Sequence, residues 1–288
     1  MELAEAIILS VLAASTPLLI AATGELVTER SGVLNLGVEG MMIVGAIAGI
    51  VAGTLLSLVF AAMTLGLAVN QVASGLALTI LGVGLSGLIG ARFTGERITP
   101  AAHLEIPGLT DIPLFGRVLF GEDGFIYFSI ALIVCVWWFL YRTRGGLILR
   151  ACGDNHVSSH ALGYPVLRIR LYAVIFGGAC AGLAGAYLPL AYTPFFIPGM
   201  TAGRGWIALA LVVFASWLPG RLVIGAYLFG AVTILQLHAQ GWGVGIPSQF
   251  MSALPYLATV IVLVLISRAR SGGSTAPAAL GTVFVPDR

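Results

Sequence analysis

Eight apolar stretches fill most of this chain and leave few ways for it to fold: 5–23, 41–69, 71–91, 125–141, 171–191, 205–218, 222–240 and 252–267. A helix crossing the hydrocarbon core of a bilayer needs roughly 20 such residues, and fewer where it is buried among others. Water is absent at that depth, so backbone polar groups must be satisfied within the segment, which means helix or closed barrel. No stretch alternates with the period of two that a membrane barrel requires. The expectation is an all-α, multi-pass membrane protein of about 8–9 transmembrane helices with a broken helix or re-entrant segment. Residues 1–270 would form one transmembrane domain, and the Gly/Ser/Ala/Pro-rich stretch 271–288 a disordered tail.

Composition supports this class. Hydrophobic residues are 59% of the chain and charged residues 9%, against about 25% charged in ordinary soluble domains. No water-soluble fold of this size hides so much apolar surface. The 38 glycines suit helices packed in lipid, where close backbone approach takes the place of a hydrophobic drive. All fourteen basic residues are arginine, and the absence of lysine excludes both a P-loop and Schiff-base chemistry. A net charge of +2 gives no case for nucleic acid. Acidic Glu2 and Glu5 stand where a signal peptide carries basic residues, so the first apolar run reads as a retained helix.

Two polar stretches interrupt the helices. The first, 92–124, mixes Arg92, Arg97 and Arg117 with Glu96, Glu105, Asp111, Glu122 and Asp123. The second, 142–170, carries Arg142, Arg144, Arg150, Arg168 and Arg170 against Asp154 alone. The positive-inside rule places the second in the cytoplasm and the first outside. The N-terminal orientation depends on whether 41–69 is one helix or two: two place the N-terminus outside, one places it inside.

Several motifs have a bland reading beside a sharp one. Gly82-Val83-Gly84-Leu85-Ser86-Gly87 matches a dinucleotide fingerprint but lies within an apolar span, where close helix packing is the better account, as for Gly178-x-x-x-Gly182. His156 and His160 have the spacing of a zinc helix; Val157 stands in place of the catalytic glutamate and no third ligand is near, so they read as solvated loop residues and no metal site is expected. Cys135, Cys152 and Cys180 lack metal spacing. No catalytic set can be assembled. The segment from Gly24 to Gly40 reads either as an ordinary connecting loop, with Glu29 and Arg30 solvated, or as a broken helix beside a translocation path.

Within that segment, Glu29-Arg30-Ser31-Gly32-Val33-Leu34-Asn35-Leu36-Gly37-Val38-Glu39-Gly40-Met41-Met42 resembles the signature of nucleoside and simple-sugar permeases of bacterial ABC importers, relatives of the ribose and branched-chain amino-acid permeases. Three further stretches match in order: Asn70 through Thr79; Arg150-Ala151-Cys152-Gly153-Asp154-Asn155 through Ala161-Leu162-Gly163 to Arg170; and Met200 through Ala210. The chain departs from the pattern between Gly45 and Asn70, which is about one helix short, and at Asn155–His160 in the coupling loop.

The resemblance implies a permease subunit in the bacterial inner membrane, paired with a second permease, identical or not. It further implies cytoplasmic ABC ATPase subunits that bind ATP and Mg, and an extracytoplasmic substrate-binding protein. This chain would hold no cofactor of its own. A secondary transporter or channel without an ATPase is the alternative. Asn35, Glu39, Asn70, Gln71 and Arg204 are expected along the substrate path. Arg150, Gly153, Asp154, Asn155, Ala161, Leu162 and Gly163 are expected in the ATPase-coupling loop. Asp154 or Asn155 would start a short helix there, and Gly163 with Pro165 would stop it.

Overall fold

The computed structural model describes residues 2–102, 104, 116–241, 250, 253–258, 261 and 276–286. Among the described residues the helices with defined bounds are, in order, α1 (Glu2–Arg30), α2 (Val38–Ala61), α3 (Gln71–Gly90), α4 (Gly116–Phe120), α5 (Gly124–Arg142), α6 (Arg144–Asp154), α7 (His156–Ala161), α8 (Val166–Tyr187), α9 (Arg204–Phe214) and α10 (Pro219–Gly241). One π-helical turn extends α2 to Gly66, and another extends α8 to Tyr192. Among the described residues, six helical segments are long and apolar enough to cross a membrane: Ala4–Arg30, Val38–Gly66, Gln71–Gly90, Gly124–Arg142, Val166–Tyr192 and Pro219–Gly241.

That number falls below the eight to nine expected, for two reasons. The stretch 205–218 yields only the 11-residue α9, about 16 Å at 1.5 Å per residue and too short to span alone. Most of the stretch 252–267 lies outside the described residues.

The segment 38–66 answers the question left open by the sequence. A straight helix of that length would measure about 43 Å. Its ends are held far closer. Gly37 packs on Gly75 of α3, the Leu34 amide donates to Gln71 Oε1 at 2.8 Å, and only residues 67–70 join Gly66 to Gln71. The helix breaks at Gly49, where φ is 70° and ψ is −155°, a conformation that glycine adopts without a Cβ penalty. The segment therefore doubles back as two short arms.

Both arms lie against α8. Gly45 and Gly53 meet Gly182, Ser57 meets Gly178, and a Cβ on Gly185 would collide with the Met42 carbonyl. The glycine pair 178/182 thus serves close helix contact, as its spacing predicts. In the fingerprint-like run, Gly82 abuts Gly40, whereas Gly84 and Gly87 have open space beside them.

The bundle has two ends. At one lie the end of α1, helices α6 and α7, the start of α8 and the α9–α10 turn. Here Arg30 bonds the Trp217 carbonyl and Thr28 bonds Ala173. At the other end, Ile98 donates to Pro194, Phe125 stacks edge-on against Tyr187, and α5 begins under an Asp123 cap. The first end carries exposed Arg142, Arg144, Arg168 and Arg221, and the second carries acids among its arginines.

Residues 276–286 pack on the arginine-rich end. The Ala279 amide donates to Gly153 and the Gly281 amide to Gly32; Ala279 is buried. Of the tail 271–288 expected to be disordered, these residues make the contacts just given, and the rest lies outside the described residues. Composition registered its small residues and missed the few that dock.

Candidate translocation path and coupling surface

The last turns of α1 carry Glu25 and Glu29 to the interior, and both are buried with Arg30. Glu29 and Arg30 are not surface residues. Glu29 accepts from the Trp217 indole N–H, while Arg30 donates through Nε (3.1 Å) and Nη2 (2.7 Å) to the same residue's carbonyl. Ser216 and Trp217 both have left-handed backbone, at φ 52° and 56°. The turn from α9 into α10 is thus held by α1 from both sides of one residue. Sequence reasoning missed Trp217. The signal was there in a tryptophan, whose indole N–H needs an acceptor when buried, two residues before the Pro219-Gly220 turn.

After α1 the chain crosses to α2 through a buried polar link. Asn35, fully buried, donates its backbone N–H to Glu25 Oε1 at 3.2 Å and accepts at Oδ1 from the Gly37 amide at 3.0 Å. Its side chain thereby supplies the turn that starts α2. Glu39, one residue into the helix, is buried as well. It accepts from Thr201 Oγ1 at 2.6 Å, the Gly203 amide at 2.9 Å and the Gly205 amide at 2.6 Å. Such charge-assisted bonds are about twice as strong as neutral ones. Gly203 has φ 80°, and a Cβ on Gly205 would strike the Glu39 backbone. Both glycines are required for the loop to close on the carboxylate.

Arg204 sits between those glycines. It donates to the carbonyls of Met200 (3.0 Å) and Thr201 (3.4 Å) and lies over the Tyr192 ring at 5.3 Å. It also lines a cavity of about 150 Å³ with Ala202, Thr233, Gln236, Phe229 and Tyr256. Thr233 and Gln236 were not expected there; their spacing of three on α10 places them on one helix face.

Gln71 is buried and ties α3 to Leu34, while Asn70 caps α3 by accepting from Ala73 at 3.0 Å and is exposed. Four of the five expected path residues therefore gather where α1, α2, α3 and the loop before α9 converge, with Asn70 at its edge. Asn35, Glu39 and Gln71 direct polar atoms onto neighbouring backbone. The open cavity, largely apolar with a few polar groups in its wall, belongs to Arg204 and its α10 neighbours Thr233 and Gln236.

At the arginine-rich end, α6 starts under a Thr143 cap and α7 under Asn155, whose Oδ1 accepts from Ser158 at 2.9 Å. Asn155 is the cap, as expected, and Asp154 is the last residue of α6. Gly163, at φ 87°, stops the helix before Pro165. Arg150 lies over the Tyr141 ring at 4.8 Å. Gly153 presses against the Arg30 carbonyl so closely that no Cβ would fit. Ala161 and Leu162 are exposed, Leu162 at 77%.

The histidines are not simply solvated: the Phe284 ring stacks on His156 at 5.0 Å and on His160 at 5.4 Å. His156 Nδ1 also faces Arg170 Nη2 at 3.2 Å, and burial with that guanidinium lowers the histidine's pKa. Among the described residues no group of side chains is arranged to hold a metal, and the three cysteines are free.

Comparison with known proteins bears directly on this geometry. Residues 7–267 match the family described as branched-chain amino acid transport system / permease component. The chain is 40% identical to a putative glucose ABC transporter permease protein of Haloferax volcanii, across 91% of this chain and 92% of the relative. It is 30% identical to the guanosine ABC transporter permease protein NupQ of Bacillus subtilis, across 94% and 93%. It is 29% identical to a nucleoside ABC transporter permease protein of Lactococcus lactis, across 98% and 97%. No solved structure matches. With its apolar helices, its doubled-back α2 and this near-full-length likeness, the chain is a multi-pass membrane protein of the branched-chain amino acid transport system permease family, a permease subunit of the ABC transporter type.

Proposed function

We propose that the chain is one of two membrane subunits of an ATP-driven importer for nucleosides or a related small polar metabolite, working by alternating access in the cytoplasmic (inner) membrane. The near-full-length likeness to permeases named for guanosine, nucleosides and glucose carries the reading. These named solutes share a hydroxyl-rich ring. A path that passes them needs weak hydrogen-bonding groups and few charges, and the Arg204 cavity with Thr233 and Gln236 offers that chemistry beside the buried link of Asn35, Glu39, Asn70 and Gln71. A sugar is the second reading, favoured by the 40% identity to the putative glucose permease.

Residues 1–270 act as a single permease domain. A second permease subunit completes it; Bacillus subtilis has two guanosine permease proteins, NupP and NupQ, and both resemble this chain. Cytoplasmic ATPase subunits bind ATP and Mg and meet the coupling loop that holds Arg150, Gly153, Asp154, Asn155, Ala161, Leu162 and Gly163. An extracytoplasmic binding protein delivers the solute. The arginine excess at the α6–α7 end places that end in the cytoplasm. On this reading α1, which ends at that face, begins on the outside.

The test is purification with native partners, reconstitution in lipid vesicles, and ATP-dependent uptake of labelled guanosine and glucose. Uptake that requires ATP and the ATPase subunit is expected, with guanosine competing for it. Uptake that proceeds without ATP would instead support a secondary transporter. Glucose competing where guanosine does not would favour the sugar reading.

A further inference from the structure

The end of the bundle that carries α6 and α7 has an apolar surface that, among the described residues, no helix covers. Val157 on α7 is 63% exposed and Leu162, just after it, 77%. Beside them the stretch 276–286 adds Val283 at 39% and Val285 at 66%. This end lies beyond the long apolar helices, among exposed arginines, so lipid does not account for the four side chains. Exposed apolar groups gathered at a wet surface mark a protein contact.

The tail is fixed in register with α7 by several independent contacts. Phe284, between the two valines, rests on both His156 and His160. Fully buried Arg170 donates Nη1 to the Thr282 carbonyl (3.1 Å), Nε to the Ser31 carbonyl (3.1 Å), and faces His156 through Nη2 (3.2 Å). The Ala279 and Gly281 amides bond Gly153 and Gly32. One guanidinium therefore joins the tail, α7 and the loop that leads from α1 into α2.

We propose that residues 276–286 complete the surface that docks the ATPase subunit, with Val283 and Val285 touching the partner beside Val157 and Leu162 and Phe284 holding them in place. The inference rests on the reading of α7 as the segment that meets the ATPase. The partner is the ATPase because the tail is bound to α7 itself, through the Phe284 ring on His156 and His160 and through Arg170, which joins Thr282 to His156.

Two double variants separate the two claims, each measured as ATPase subunit recovered with tagged permease from membranes. Val283→Asp with Val285→Asp is expected to lower recovery about tenfold or more, with the amount of permease in the membrane unchanged. Val157→Asp with Leu162→Asp is expected to do the same. Full recovery with the tail variant alone overturns the tail inference and leaves the α7 reading standing. Full recovery with both overturns the docking assignment itself. Because the tail variant changes only exposed side chains, it is expected to fold. Val285→Cys, which preserves size and apolarity, provides the second measurement: it should crosslink to the ATPase with a short thiol reagent. A crosslink at 157 with none at 285 also refutes the tail's part.

Discussion

Replacing Glu39 with glutamine removes one acceptor from a clasp that three donors occupy. In the native protein Oε1 takes Thr201 and Gly203, and Oε2 takes Gly205. The glutamine amide nitrogen would point a donor at the Gly205 N–H. A buried N–H left unmatched costs about 1–3 kcal/mol, and the two remaining bonds, no longer charge-assisted, lose roughly 0.5–1 kcal/mol each. The expected loss is about 2–5 kcal/mol, which for a chain of this size lowers Tm by roughly 5–15 °C. The assay is thermal unfolding in detergent, paired with uptake as a function of solute concentration. If Glu39 braces the loop that carries Arg204, Tm and maximal uptake fall while the half-saturating concentration stays put. An unchanged Tm with a large rise in half-saturation would refute the brace and place Glu39 against the solute.

Four other substitutions test separate links. Gly185→Ala drives a methyl group into the Met42 carbonyl and should cost several kcal/mol and most of the folded permease, measured by detergent-resistant monodisperse yield; Gly84→Ala, which meets open space, should leave that yield unchanged. Gly163→Pro cannot adopt the native φ of 87°, so ATP-driven uptake should be lost while membrane insertion persists; normal uptake would make the α7 loop a mere connector. Burial and neighbouring Asp123 push the Glu122 carboxyl from its ordinary 4.5 up to about 7. The folded protein thus holds a proton that the unfolded chain releases, and this contribution is lost as pH rises from about 4.5 to 7. Glu122→Gln should flatten that loss, raising stability at pH 8 by on the order of 2 kcal/mol once partial solvent access is allowed for; a Tm-versus-pH curve parallel to wild type would contradict it.

What the sequence disclosed and what it withheld divide along physical lines. Local chemistry was legible: Asn155 caps α7 and Gly163 stops it because both effects act within one turn. Gly178 and Gly182 were readable as a contact face because spacing alone sets which side of a helix they share. The break in α2 was not. Gly45, Gly49 and Gly53 are equally spaced, and only packing against α8 decides which of them turns the chain. Glu29 and Arg30 resembled a surface pair because their partner, Trp217, lies nearly two hundred residues away. Four of the five expected path residues lie near one another, yet the residues lining the Arg204 cavity include Thr233 and Gln236, ordinary polar residues on a mostly apolar helix.

The doubled-back α2 also constrains how the protein is made. Its two arms find their main packing surface on α8, which the ribosome completes about 120 residues later. At 5–20 residues per second that interval is roughly 6 to 24 seconds. During it the hairpin must wait at the translocation machinery or in lipid with its glycine faces bare, and neither short arm is long enough to be released securely as an independent span. A substitution at Gly182 or Gly185 would therefore act first during synthesis, as a nascent chain that lingers with the insertion apparatus and is cleared by proteases, before any mature transporter exists to be assayed.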